Sequence, residues 1–282
     1  MLRNRGRDRL LVFLKAFRIG DFDIRDQIGH HVFCPRWFGL PTSGMESSIP
    51  AKIASPRAKI VIGRQQPGET NMTLDLYAWN TSNGRKISIM LEELGVDYNI
   101  HLINIGKDEQ FAPDFLKISP NNRIPAIVDS DGPGGAPYSM FESGAILLYL
   151  ADKFGKFNPT DERKRYETLV WLMWQMGGVG PMFGQVHHFE RAAKEDIPYG
   201  KKRYGDEARR LYGVMNGRLG ESAYLGCDEY TIADIATYPW VARYDWQNVD
   251  LADFPNVKRW FDDMSARPAV EKGMNVLAPP AS

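Results

Sequence analysis

A change of hydrophobic period partway along the chain constrains its fold more than any other feature. From Leu74 to Trp79 the residues alternate as in a strand, and Thr81-Ser82-Asn83-Gly84 is a turn rich in helix-start residues. Ile87, Met90, Leu91 and Leu94 then recur at i, i+3, i+4 and i+7, which is a helix with one buried face, stopped by Gly95. Tyr98 to Ile105 predicts a second strand, and Phe111 to Ile118 a short helical piece with Pro113 and Asp114 near its start. Ala126 to Asp129 and Tyr138 to Phe141 predict two short strands, joined by the tight connection Asp131-Gly132-Pro133-Gly134-Gly135. Leu147, Leu150, Ala151 and Phe154 restore helical spacing.

After Lys156-Phe157-Asn158-Pro159-Thr160 no strand pattern returns. Glu162 to roughly Phe189 predicts a long helix, kinked or restarted at Gly177-Gly178-Val179-Gly180-Pro181. Lys201 to Leu219 is a further amphipathic stretch. Thr231 caps the next helix, with Asp234 three residues on as a variant capping box. Val257, Trp260, Phe261 and Met264 make another helix, and Arg267-Pro268 marks the following turn. A βαβαββα unit, a mixed sheet covered by helices, therefore precedes an all-helical domain.

Two segments of the first unit have chemistry of their own. Ile124-Pro125 places proline at the mouth of a strand, where it cannot donate a ladder hydrogen bond. In the cis form it would bend the chain and leave the Ile124 backbone facing outward, so that a peptide ligand could add as an extra strand. Glu142-Ser143 falls where a strand gives way to a helix. Ser143 is a good N-cap residue, and the free N–H groups of a helix start attract a carboxylate. Together the segments describe a site for a small peptide with a free amino acid head.

Composition sets the outer bounds. A chain of 282 residues can hold two domains with real cores. Residues 1–70 have 12 Lys and Arg against 6 Asp and Glu, whereas the remainder has 23 against 29, which argues against a nucleic-acid-binding core. Two cysteines, Cys34 and Cys227, make no disulfide framework and no C-x-x-C pair, as expected of a cytoplasmic, reducing setting. No apolar run approaches the roughly 20 residues of a membrane span. Residues 1–71 lack sustained periodicity and begin with Arg3, Arg5, Arg7 and Arg9. They read as an irregular extension: a targeting segment, a docking arm or tail, or sequence ahead of a true start at Met72. His30, His31 and Cys34 lack the fourth ligand of a usual metal site, so no metal is expected.

Residues 72–275 resemble a glutathione transferase. The motifs Thr81-Ser82-Asn83-Gly84-Arg85-Lys86, Ile105-Gly106-Lys107-Asp108-Glu109-Gln110-Phe111, Ser119-Pro120-Asn121-Asn122-Arg123-Ile124-Pro125, Trp171 to Gly178 and Thr231-Ile232-Ala233-Asp234 are similar to those of the bacterial Nu class. Each alone is weak, but five in order at compatible spacing are specific. The resemblance implies a thioredoxin-like domain over 72–156 and an all-helical transferase domain over 161–275. It implies glutathione-dependent disulfide reduction, with possible peroxidase activity, in a homodimer holding two glutathiones or one glutathione disulfide per site. Glutathione is then the cosubstrate and brings the reacting thiol, so no catalytic cysteine is needed.

Spacing alone reads Thr81 and Asn83 as helix-capping residues, while the resemblance makes them the pair that contacts the glutathione sulfur. It further implies that Ile124, next to Pro125, pairs main chain to main chain with the cysteinyl unit. Glu142 and Ser143 would hold the γ-glutamyl head, and Gln110 the glycyl end. Arg123 would be a charge partner, and Arg210 would reach a neighbouring site across the dimer. Two departures stand out: Ser82 replaces a proline common in the class, and Val186 replaces an asparagine before the pair His187-His188. Those histidines are expected at the open side of the cleft. Trp171, Trp174, Trp240 and Trp260 are expected in core and interdomain packing. Two alternatives to disulfide reduction remain: conjugation of glutathione to electrophiles, and a non-catalytic glutathione-transferase-like binding module.

Overall fold

The structure is a computed structural model that describes residues 73–278. The expectations for residues 1–71, for Met72, and for His30, His31 and Cys34 lie outside the described residues. The order β1 (Leu74–Ala78), α1 (Ser82–Leu94), β2 (Tyr98–Leu102), α2 (Pro113–Ile118), β3 (Ala126–Asp129), β4 (Tyr138–Phe141) and α3 (Ser143–Phe154) is the expected βαβαββα. The sheet runs β2-β1-β3-β4. β1 and β2 are parallel, with Leu76 opposite Ile100, because α1 carries the chain back between them. β3 runs antiparallel to both of its neighbours. Leu76 and Ile127 from the sheet are buried with Ile87, Met90 and Leu91 of α1 and Ile146, Leu147 and Leu150 of α3.

Local chemistry fixes the start of α1. The Thr81 hydroxyl accepts from the Gly84 N–H at 3.1 Å, the N-cap bond that its residue type favours. A Cβ on Gly84 would come within 2.3 Å of the Trp79 carbonyl oxygen, so only glycine permits the tight turn. Gly95, at φ 70°, closes the helix in the left-handed region. β2 is shorter than expected: residues 105–107 and 109–111 form 3₁₀ turns ahead of α2.

The helical half keeps the expected interruption at the glycine-rich run. α4 (Glu162–Trp174) ends there, a π turn over residues 175–179 follows, and α5 (Gly180–His187) starts anew with Pro181 in its first turn, before a second π turn over 188–192. Pro181 cannot donate to the residue four back, and a first-turn position is where that loss is tolerated. α6 (Pro198–Glu221), α7 (Ile232–Val241) and α8 (Pro255–Ser265) follow. The Thr231–Asp234 capping box of α7 is present in full. Beyond Arg267, where only a turn is expected, a further helix, α9 (Pro268–Asn275), packs across α1. The Ser88 hydroxyl donates to the Gly273 carbonyl at 2.6 Å, and Arg267 forms a two-pronged pair with Glu93 at 2.6 and 2.9 Å.

Candidate active site

The two segments singled out in the sequence meet at one cleft. Asn83, Arg123, Ile124, Pro125, Glu142, Ser143 and Met176 line a cavity of about 140 Å³. Asn83 comes from the first turn of α1. The Ile124-Pro125 bond is cis, and Ile124 lies beyond both ladders, which begin at Ala126. Glu142, not Ser143, is the N-cap residue of α3. It has φ 73° and ψ 107°, and Ser143 is the first helical residue. A non-glycine residue in that region costs about 1–3 kcal/mol, and such strain gathers where a side chain or helix end must be aimed at a ligand. The first intrahelical bond of α3 runs from Ile146 N–H to the Glu142 carbonyl. The N–H groups of Ser143, Gly144 and Ala145 precede it, and in a helix start such groups make an anion-binding end.

Asn83 is held from the other half of the molecule. Trp240 of α7 donates its indole N–H to Asn83 Oδ1 at 3.2 Å. An indole can only donate, so this bond fixes the amide with its NH₂ as the free end. Sequence reasoning had placed Trp240 in packing alone. Thr81 does not line the cavity. Its oxygen is occupied as the cap acceptor, and its hydroxyl proton remains available to a ligand atom above the turn.

Lys86 was missed as a distinct feature. It lies one turn into α1, 1% exposed. Its ammonium donates to Gln175 Oε1 at 2.7 Å, to Ser143 Oγ at 3.3 Å and to Met176 Sδ at 3.3 Å. Burial pushes its pKa down to about 7, against the opposing pull of Glu142.

Other expected residues lie elsewhere. Gln110 is buried beside α2, with its amide 3.4 Å from Asp108, and does not line the cavity. Arg210 is exposed on α6 and paired with Glu207 at 2.7 Å, also outside the cavity. Val186 is buried in the core, and Ser82 is buried with its hydroxyl unpartnered. His187 does not border the cavity. It stacks on Trp240 with centroids 5.7 Å apart, and its Nε2 lies 3.0 Å from the Gln247 amide nitrogen. Burial, with Arg243 and Arg191 nearby, pushes its pKa down to about 4. A neutral ring accepting at Nε2 and protonated at Nδ1 satisfies both facts. Tyr77 is stacked on His101, away from the cleft.

Cys227 is buried, and burial raises its thiol pKa, the opposite of an activated nucleophile. Among the described residues no three His, Cys, Asp or Glu side chains gather as a metal site, and no helix is long and apolar enough to cross a membrane.

Comparison with known proteins agrees with this geometry. The family model for the glutathione S-transferase N-terminal domain matches residues 82–153, and that for the C-terminal domain matches residues 191–268. The disulfide-bond oxidoreductase YfcG of Escherichia coli K12 is 52% identical over 202 residues, covering 71% of this chain and 94% of that protein. A glutathione transferase family member from Pseudomonas fluorescens pf-5, solved with two glutathiones bound, is 45% identical. Its TM-score is 0.69, over 74% of this chain and 95% of that one. A glutathione transferase from Pseudomonas putida, with one glutathione disulfide per subunit, is 44% identical. Its TM-score is 0.71, over 75% of this chain and 95% of that one. On these matches, and on a cleft assembled at the start of α1, the bend before β3 and the start of α3, the chain belongs to the glutathione S-transferase family.

Proposed function

We propose that this protein reduces small disulfides with glutathione by thiol–disulfide exchange. One observation carries the reading: six residues drawn from three separate motifs (Asn83, Arg123, Ile124, Pro125, Glu142 and Ser143) line one cleft. The γ-glutamyl carboxylate lies on the N–H groups that open α3 and on the Ser143 hydroxyl, and Glu142 takes the amino group. The Ile124 backbone pairs with the cysteinyl unit, and Arg123 faces the remaining negative charge. The sulfur then lies over the first turn of α1, where the Thr81 hydroxyl and the Asn83 amide donate to it. Donors aimed at the sulfur favour thiolate, the reactive form, over the thiol.

The bound thiolate attacks one sulfur of the substrate disulfide. A glutathione mixed disulfide forms, and the other half leaves as thiolate and takes a proton. A second glutathione thiolate attacks the glutathione sulfur of that mixed disulfide. Glutathione disulfide forms and the second substrate thiol is released, so two glutathiones are oxidised for each disulfide reduced. Hydroperoxides are a secondary substrate class for the same thiolate.

A homodimer is part of the proposal. On α4, Tyr166, Val170 and Met173 are exposed at i, i+4 and i+7, an apolar stripe suited to a second copy of the chain. Arg210, outside its own cleft, and Gln110 then act from the periphery of the bound tripeptide.

The test is glutathione-dependent turnover of bis(2-hydroxyethyl) disulfide, with sedimentation run in parallel. Asn83→Ala and Thr81→Ala should each lower kcat/KM by about 10²-fold, as loss of an anion-stabilising donor does elsewhere. A folded dimer that binds glutathione but shows no turnover would sink the reductase assignment. Efficient conjugation of an aromatic halide in that case would move the protein to the transferase alternative.

A further inference from the structure

The cleft has a buried cation beneath it that the exchange chemistry does not use. An ammonium has three donors, and those of Lys86 meet three acceptors: Gln175 Oε1, Ser143 Oγ and Met176 Sδ. None of these is a carboxylate. Two of them, Ser143 and Met176, line the cleft itself. The charged groups around this point are Glu142, from the residue that opens α3, and Arg123 on the cleft wall. Gln175 and Met176 come from the π turn, and its wider winding brings both side chains to the ammonium.

This arrangement organises Ser143. When Lys86 donates to Ser143 Oγ, that oxygen is used as an acceptor, and the hydroxyl donates to Met176 Sδ at 3.7 Å, a weak acceptor that an arriving carboxylate can replace. A carboxylate arriving there meets the hydroxyl, the helix N–H groups and, one layer below, a buried amine whose three hydrogen-bond acceptors include no carboxylate. A buried unpaired ammonium is costly, and an anion within a few ångströms relieves that cost.

We propose that Lys86 is a positioning residue for the ligand's amino acid carboxylate, and that it takes up a proton from solvent as that carboxylate binds. This rests on the placement of the γ-glutamyl head at Ser143. In the free protein, burial pushes the Lys86 pKa down to about 7, against the pull of Glu142. Anion binding raises that pKa, and protons and ligand enter together.

Calorimetric titration with S-methylglutathione tests this, since the blocked sulfur removes thiol ionisation from the balance. Heats measured at pH 7.5 in phosphate and in Tris should differ by the heat of a net proton uptake on binding. Affinity should fall up to about tenfold per pH unit above neutrality. Lys86→Met should abolish the uptake and weaken binding by at least about tenfold. Lys86→Arg, which keeps the charge but cannot titrate, should bind without uptake.

Wild-type binding with no buffer dependence, and an affinity flat across that range, would overturn the proposal while leaving the glutathione site intact. Unchanged binding and uptake in Lys86→Met would overturn it equally. Failure of the wild type to bind S-methylglutathione would remove the site assignment itself. The wild-type buffer comparison stands alone if the substituted proteins do not fold.

Discussion

At the residue scale, the sulfur-facing corner depends on orientation as much as on residue type. Asn83 is an amide that can flip, and an oxygen turned toward a thiolate would repel it. The Trp240 indole, 3.2 Å from Asn83 Oδ1, removes that freedom. Trp240→Phe keeps most of the packing and deletes the single donor. We expect kcat/KM to fall about tenfold, the value of one hydrogen bond of roughly 1–1.5 kcal/mol. The pH at which activity rises should move upward as the thiolate loses its aligned donor. In an Asn83→Ala background the same change should cost almost nothing further, because the two residues act as one unit. Equal losses in both backgrounds would show that Trp240 acts through packing alone. His187 stacks on the same indole, and Gln247 donates to the Trp240 backbone carbonyl at 3.0 Å.

At the element scale, the start of α3 and the π turn are fitted to one another. Gly144 is the contact point: a Cβ there would come 2.9 Å from Met176 Cγ and 3.2 Å from its sulfur. Gly144→Ala should push Met176 toward the cleft and raise the KM for glutathione several-fold, at a stability cost of about 1–3 kcal/mol. Steady-state kinetics and thermal melting check both halves, and an unchanged KM would show that Met176 swings away from the cleft instead.

Much of this region is legible in the sequence because its determinants are local. Thr81 and Thr231 cap helices, Gly95 ends one, and Ile87, Met90, Leu91 and Leu94 face the core. The sequence marks Thr81-Asn83, Ile124-Pro125 and Glu142-Ser143, and all but Thr81 among these residues reach the cleft. Lys86 was not separable from a surface lysine, since its burial depends on Gln175, 89 residues further on. The glycine run and Pro181 mark the interruption between α4 and α5 locally, whereas its form as a π turn has no local signal. Glu142 in place of Ser143 as the N-cap is a one-residue shift that backbone strain, not residue preference, decides.

At the scale of the whole molecule, the sheet-bearing half and the helical half share α1. One face of α1 covers the sheet, and the rest is gripped by α7 and α9. The grip is tightest at Gly273, where a Cβ would lie 2.5 Å from Ile89 Cα and 2.7 Å from Ile89 N. Both are backbone atoms that no rotamer change can move, so Gly273→Ala must lift α9 away from α1. That shift strains the Ser88–Gly273 bond and the Arg267–Glu93 pair together. The expected loss is about 3 kcal/mol, at the upper end for overpacking because the obstruction is rigid. Because α1 also positions Asn83 and Lys86, the loss should not stay in the helical half. Urea unfolding followed by tryptophan fluorescence and by far-ultraviolet dichroism should give one coincident transition, moved to lower denaturant in Gly273→Ala. Affinity for glutathione should weaken below that transition. Two separated transitions in the variant would show instead that the halves fold independently, with α9 acting as a local strap on one of them.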